Sequence, residues 1–201
     1  MDDPLKQIAV VQAAPSAVVQ DIFRMLLDRW RPFVRVAGVI AEGHGLADRA
    51  CNAGFLRNIG TGEQFPIFQD LGPGSTGCHL EADGVLRAGA AAQRDIAAGC
   101  DLVLLSKFGK LEAGGGGLLD AFGTAVEAHL PILTSVSPAL EAAWAKFAAP
   151  LFTALPADPD QIDAWWRTVR SRTAVTNRGS KVAVSFSGIA SGPRPRVHLE
   201  R

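Results

Sequence analysis

The stretch that most constrains the fold runs from Asp101 to Leu118 and reads DLVLLSKFGKLEAGGGGL. Its first five residues form a short continuous apolar run, which is typical of a strand buried on both faces of a parallel sheet. The cationic turn 106–110 follows at the carboxyl end of that strand, where open α/β sheets bind their ligands. Four consecutive glycines, 114–117, then favour a loop whose backbone N–H groups are free to approach a ligand. The stretch therefore predicts a central strand leading into a binding loop, the alternative being a surface loop without function.

Apolar runs and helical periodicities alternate along the whole chain. Strands are predicted at 7–12, 34–40, 101–105 and 131–136, helices at 17–30, 81–98, 118–130, 139–148 and 161–172, and a β-hairpin at 54–68. In the first helix Ser16 is expected as the N-cap, and one face is predicted from residues at helical spacing, namely Val18, Ile22, Met25, Leu26 and Arg29. This alternation predicts an α/β domain of three layers, with helices on both faces of a mostly parallel sheet that the hairpin extends or caps.

Composition and charge exclude several classes of protein. The 201 residues are 48% hydrophobic and 20% charged with no formal net charge, which indicates a globular protein and argues against a nucleic-acid partner. The charge is uneven, because residues 1–172 carry 15 basic and 19 acidic side chains and residues 173–201 carry 5 and 1. We therefore expect an α/β domain over 1–172 and a basic tail, rich in serine, glycine and proline, over 173–201.

The same sequence predicts a cytoplasmic protein that does not enter the membrane. No apolar run reaches the roughly 18 residues of a membrane span. The acidic start, Met1-Asp2-Asp3-Pro4, is unlike the cationic start of a signal peptide. Three cysteines with no CxxC pair are typical of a reducing compartment.

The N-terminal strand, turn and helix have the layout of a P-loop nucleotide-binding protein, but the motif is absent. The pattern GxxxxGK[ST] does not occur, and neither glycine nor lysine lies between Val11 and Val18. Without that lysine, nucleotide β- and γ-phosphates lose their principal cation.

The central stretch resembles the Walker B segment of a small class of P-loop nucleoside-triphosphatases, in which an apolar strand ends in Asp-Glu-Ile-Gly-Lys-Met-Glu. Gly109, Lys110 and Glu112 match that pattern. Ser106 and Lys107 stand where the magnesium-binding and catalytic acids of the class would be. The resemblance implies a degenerate P-loop NTPase-like fold in which hydrolysis of a nucleoside triphosphate is not expected.

The chain resembles still more closely an uncharacterised bacterial domain-of-unknown-function family related to that class, whose genes often lie beside molybdate-transport genes. The family carries a Lys-Phe-Gly-Lys motif and a Gln-Asp-x-Gly-Pro-Gly-x-x-Gly-Cys motif, and the resemblance covers roughly residues 7–170. The matching residues are Gln69, Asp70, Gly72, Pro73, Gly74, Gly77, Cys78, Lys107, Phe108, Gly109, Lys110 and Glu112. The glycine run departs from the family pattern because it lacks an arginine, which would weaken ligand binding if that arginine contacts the ligand.

Loss of the phosphate lysine and of both acids leaves a helix N-terminus, a glycine-rich loop and two lysines, a set that suits a bare tetrahedral oxyanion. Molybdate and tungstate are suggested by the family resemblance alone, and no other cofactor is expected. The two loops 72–79 and 106–117 are predicted to line one pocket near Pro15 and Ser16. The candidate ligand-binding residues are Ser16, Gln69, Asp70, Gly74, Ser75, Thr76, Gly77, Cys78, Lys107, Gly109, Lys110, Glu112 and Gly115.

Several alternatives remain open at this level. The chain could be an NTPase-like enzyme with an altered phosphate loop, or a scaffold that binds a partner protein or a second copy of itself. Cys78 could ligate a metal, although a structural thiol is favoured, and no catalytic residue or metal site is predicted. Glu112 is expected to orient Lys107 or Lys110 through an ion pair.

Overall fold

The computed structural model describes residues 6–45, 54–68 and 81–184, with side chains through Arg172. The chain divides into two compact units, Met1–Trp165 and Trp166–Arg201. The first unit contains the sheet. The described residues of the second unit, 166–184, are helical.

Seven strands form one mixed sheet in the order β4-β3-β2-β5-β6-β1-β7. The strands are β1 Ile8–Val11, β2 Val36–Glu42, β3 Phe55–Asn58, β4 Gln64–Pro66, β5 Leu102–Phe108, β6 Ile132–Val136 and β7 Phe152–Leu155. Neighbours from β2 to β7 pair in parallel, while β3 and β4 are antiparallel and form the predicted hairpin beyond β2. The apolar run that begins at Leu102 is therefore the central strand, with three strands on each side.

The helices are α1 Ser16–Trp30, α2 Ala82–Ala97, α3 Lys110–Ala113, α4 Leu119–Glu127, α5 Glu141–Ala148 and α6 Pro159–Val184, with one 3-10 turn at Pro138–Leu140. None of the helices in the described part of the chain combines the length and the apolar character that crossing a bilayer requires.

The sheet has a buried core on both of its faces. On one face, alternate strand residues such as Val103 and Leu105 pack with Ala88 of α2 and Phe122 of α4. The intervening strand residues, such as Leu104, are also fully buried but lie outside that cluster, on the face along which α1 packs. Helices therefore cover both faces, and the prediction of a three-layer, mostly parallel α/β fold with a hairpin is confirmed.

Gly38 explains how β2 approaches β5 so closely. It has φ +119°, and a Cβ at this position would lie 2.0 Å from the Leu104 carbonyl oxygen. No other residue fits that space in this backbone conformation.

Some elements differ from the sequence predictions. The edge strand β7, which pairs with β1, was not predicted. The predicted face of α1 was wrong at Val18 and Met25, which are exposed, and right at Leu26, which is buried. The rest of the buried apolar face consists of Val19, Phe23, Leu27 and Trp30. Pro15, not Ser16, is the N-cap of α1. Helix α6 continues past the predicted end at 172; the boundary of a separate tail stays a prediction, and residues 185–201 lie outside the described residues.

Candidate functional site

The central strand ends in an irregular stretch that contains Ser106 and Lys107. β5 continues through residues 106 and 107 to Phe108, whereas the sequence predicted a turn from residue 106. The register between β5 and β6 shifts between Leu105 and Phe108, as in a β-bulge. Ser106 is buried, at 1% exposure, while the next residue, Lys107, is exposed, and neighbouring side chains of a strand point to opposite faces. The two positions where acids stand in the related NTPase class thus face different surroundings.

Ser106 is held in a neutral hydrogen-bond network with Gln20 of α1. The Gln20 amide Nε2 donates to the Ser106 carbonyl at 3.0 Å, and the Ser106 hydroxyl donates to Gln20 Oε1 at 3.2 Å. The same Oε1 accepts the backbone N–H of Ala41 at 3.1 Å, and the Ser135 hydroxyl donates to the Ser106 carbonyl at 2.9 Å. These bonds join α1, β2, β5 and β6 at one edge of the sheet. Because no carboxylate takes part, the network offers no ligand set for magnesium.

Glu112 lies in α3, directly after the strand, and its carboxylate is buried at 6% exposure. Oε2 accepts the backbone N–H of Gly109 at 2.7 Å, and Oε1 accepts the backbone N–H of Leu118 at 2.8 Å. Each carboxylate oxygen therefore has a donor, and the side chain ties the start of α3 to the end of the glycine run. The expectation that Glu112 forms an ion pair with Lys107 or Lys110 was wrong.

The glycine run folds around this carboxylate. Gly117 has φ +64°, and a Cβ there would lie 2.2 Å from Glu112 Oε1. The N–H groups of Gly114, Gly115 and Gly116 donate to carbonyl oxygens of Lys110, Leu111 and Glu112. Three of the four glycine amides are therefore not the free donors that the sequence suggested. The run serves first to close the turn after α3.

Lys107 and Lys110 are the cations of this edge. Both are exposed, and neither forms an ion pair with a residue in the described ranges. Glu42, the acid at the end of the neighbouring strand β2, pairs instead with Arg57 of β3. The hydrogen bond and charge of Glu42 raise the pKa of Arg57. The two lysines therefore place two positive charges, without a direct ion-pair partner among the described residues, at the carboxyl ends of the parallel strands.

The turn between β1 and α1 contains the left-handed residue Ala13, at φ +60°. Among the described residues no side chain caps helix α1, so N–H groups of its first turn have no side-chain acceptor there, and Ser16 is exposed in that turn. β6 lies between β1 and β5, which places this turn about two strand spacings, roughly 9.6 Å, from the strand that carries Lys107. The structure therefore puts Ser16, Lys107 and Lys110 at the same edge of the sheet.

The prediction of a shared pocket also involves the loop 72–79. Residues 69–80 lie outside the described residues, so the prediction that both loops line one pocket stays a prediction. The candidates that this concerns are Gln69, Asp70, Gly74, Ser75, Thr76, Gly77 and Cys78. Across the ranges that the structure describes, no group of three or more His, Cys, Asp or Glu side chains could hold a metal ion.

Sequence reasoning missed Gln20 and Ser135. Gln20 is a polar residue in the buried face of α1, and no spacing distinguishes it from an exposed glutamine. Its partner Ser106 was identified only through the resemblance to the Walker B pattern. The pairing of the two becomes visible only when the helix is placed against the sheet.

The sheet order, the helices on both faces and the loop after β5 define an α/β protein with a P-loop NTPase-like fold. Ser106 and Lys107 lie near the end of its central strand, and the Ser106 hydroxyl donates to Gln20. The chain belongs to the family described as protein of unknown function (DUF2478), whose model matches residues 8–165.

A relative in Bradyrhizobium diazoefficiens is named molybdenum import ATP-binding protein ModC 2. It is 36% identical to this chain over 199 residues, which are 97% of the chain. The chain spans 22% of the length of that relative. No solved structure matches the chain significantly.

Proposed function

We propose that this chain binds a small tetrahedral oxyanion, with molybdate and tungstate as the first candidates, and that it does not hydrolyse nucleotides. The observation that carries the proposal is the pair of exposed lysines at the carboxyl edge of the central strand. Lys107 lies within the irregular stretch of β5, and Lys110 opens α3 three residues later. Two cations that lack acidic partners among the described residues match the charge of a dianion.

The backbone near the lysines supplies further donors. The amide N–H of Gly117 makes no hydrogen bond within the described part of the chain, and the uncapped first turn of α1 offers N–H groups and the Ser16 hydroxyl. A tetrahedral oxyanion requires donors of this kind from several directions and no metal ion. The loop 69–80, with Ser75 and Thr76, would add donors if it reaches the same edge.

The same site is unsuited to a magnesium–nucleotide complex. The turn after β1 contains no lysine. Position 106 carries a serine that is hydrogen-bonded to Gln20 and Ser135, where a magnesium site would need a free carboxylate. Lys107 adds positive charge where such a complex would require a metal ligand. Hydrolysis through the usual Mg²⁺-dependent route therefore lacks its essential groups.

The similarity to the Bradyrhizobium diazoefficiens protein supports a role in molybdenum handling. A protein named for molybdenum import and ATP binding contains a segment similar to nearly the whole of this chain. Because the match occupies only 22% of that protein and this chain has no GxxxxGK[ST] motif, ATP binding is a property that the rest of the relative could supply. We therefore assign this chain to molybdenum handling, where it would work beside a protein partner of that kind.

Isothermal titration calorimetry tests the proposal. Molybdate, tungstate, sulfate and phosphate are titrated into wild type, Lys107→Ala, Lys110→Ala and the control Lys146→Ala, which removes an exposed lysine of α5. Each lost charge-assisted hydrogen bond costs about 1.5–3 kcal/mol, so the first two variants should bind more than tenfold more weakly. The control should bind like wild type.

Three results would contradict the proposal. If none of the four anions produces a heat of binding, the proposal that the chain binds an oxyanion is wrong. Equal weakening in all three variants would indicate a general charge effect with no site. Binding of ATP or GTP that requires magnesium and is lost in Lys110→Ala would favour the nucleotide-binding alternative.

A further inference from the structure

We propose that Glu112 is the positioning residue of the oxyanion site, although it never contacts the anion. This inference rests on the proposed function. The Glu112 carboxylate holds two backbone segments together, one on each side of α3. The first segment carries Gly109, which is flanked by the two lysines, and the second carries the unbonded amide of Gly117.

The geometry leaves the carboxylate no freedom to act on a ligand. Both oxygens accept short bonds from backbone N–H groups, and the side chain is buried in the turn. Gly117 approaches so closely that a Cβ would overlap Glu112 Oε1, and a Cβ on Gly109 would lie 3.0 Å from Oε2. The glycines thus let the backbone wrap around this one group.

A carboxylate is suited to this role and an amide is not. Glutamine has one acceptor oxygen and an NH₂ group, so it can accept from only one of the two N–H donors and presents a donor to the other. Aspartate keeps the charge but is one methylene shorter, so it cannot span from Gly109 to Leu118. In both variants the lysine-bearing turn and the glycine run lose their fixed separation.

The sign of the change in affinity separates positioning from simple electrostatics. Glu112 is a negative charge close to a site for a dianion, so removing that charge should tighten binding if proximity were its only effect. A positioning role predicts the opposite. We expect Glu112→Gln and Glu112→Asp each to raise the dissociation constant for molybdate at least tenfold, which corresponds to about 1.4 kcal/mol.

The experiment compares these variants with Asp120→Asn by calorimetry, at a temperature where circular dichroism shows each protein fully folded. Asp120 is exposed in the first turn of α4, so its variant removes the same charge without touching the turn around Glu112. The control should bind molybdate as tightly as wild type or slightly more tightly. Amide hydrogen exchange should also accelerate at Gly109 and Leu118 in the Glu112 variants, while β5 residues 102–105 keep their protection.

The outcomes separate the two proposals. If wild type binds and Glu112→Gln binds equally or more tightly, the positioning role is overturned and oxyanion binding stands. Wild-type affinity in Glu112→Asp also overturns it, because charge alone would then suffice. If wild type binds no oxyanion, the proposed function fails and the inference fails with it.

Discussion

Replacing Gln20 by methionine tests the network that substitutes for the acids at the end of β5. Methionine keeps the length and approximate volume of the side chain but removes all three hydrogen bonds of the amide. The Ser106 carbonyl keeps the Ser135 hydroxyl as a donor, so it does not lose its last partner. The Ala41 N–H loses its acceptor, which costs about 1–3 kcal/mol of stability. The hydrogen bond that the Ser106 hydroxyl loses costs about 1 kcal/mol more. The expected loss in the free energy of unfolding is therefore about 2–4 kcal/mol.

Thermal unfolding followed by circular dichroism measures this loss. For a protein of this size, a loss of 2–4 kcal/mol lowers the melting temperature by about 4–16 °C. The matched control is Gln93→Met, which removes one half-buried bond of 3.4 Å to Thr124 and should cost less than about 1 kcal/mol. Equal melting temperatures for the two variants would refute the view that Gln20 holds β5 against α1 and β2.

Three further predictions address the turn, the buried thiol and the chemistry. Gly117→Ala should destabilise the protein by more than about 2 kcal/mol in urea unfolding, because the new Cβ overlaps Glu112 and φ is positive. The control Gly123→Ala in α4 has open space around the new Cβ and should be neutral or stabilising by up to about 1 kcal/mol. The reverse order of stabilities would contradict the turn geometry. Burial raises the pKa of the Cys100 thiol, so mass-spectrometric peptide mapping should find its alkylation at pH 8 slower in the folded chain than in urea, and equal rates would be inconsistent with that burial. Purified protein with Mg²⁺ should show no appreciable phosphate release from ATP or GTP, and turnover near one per second that Lys110→Ala abolishes would establish the enzyme alternative.

The sequence predicted the parallel strands of the sheet, other than β7, because each is a short run of mostly apolar residues. Leu102–Leu105 and Ile132–Val136 are buried on both faces, and runs of this kind have few other uses in a chain of this length. Strand β7 escaped prediction because its four residues, Phe152–Leu155, lie at an edge and are only partly buried. Helix α1 has apolar residues on two of its faces, so periodicity alone could not decide which face contacts the sheet.

The candidate site was predicted by residue type but not by contact. Lys107 and Lys110 were expected to be accessible cations, and the structure places both at the surface. The role of Glu112 was missed because an acid shortly after two lysines in the sequence favours an ion pair. Its actual partners are backbone N–H groups, which only the folded chain brings to the carboxylate. The glycine amides were expected to be free for the same reason, since sequence gives no information about the carbonyls they meet.

The central claim, that the site takes a bare oxyanion and not a nucleotide, is tested most directly by thermal shift. Molybdate, tungstate, sulfate, phosphate, ATP and GTP are compared, each with and without Mg²⁺. A ligand present at 100 times its dissociation constant adds about 2.7 kcal/mol, which raises the melting temperature of a protein of this size by about 5–11 °C. The account predicts such a rise with molybdate or tungstate, independent of Mg²⁺, and none with ATP or GTP. A rise with ATP or GTP that depends on Mg²⁺, without one for any oxyanion, would contradict it.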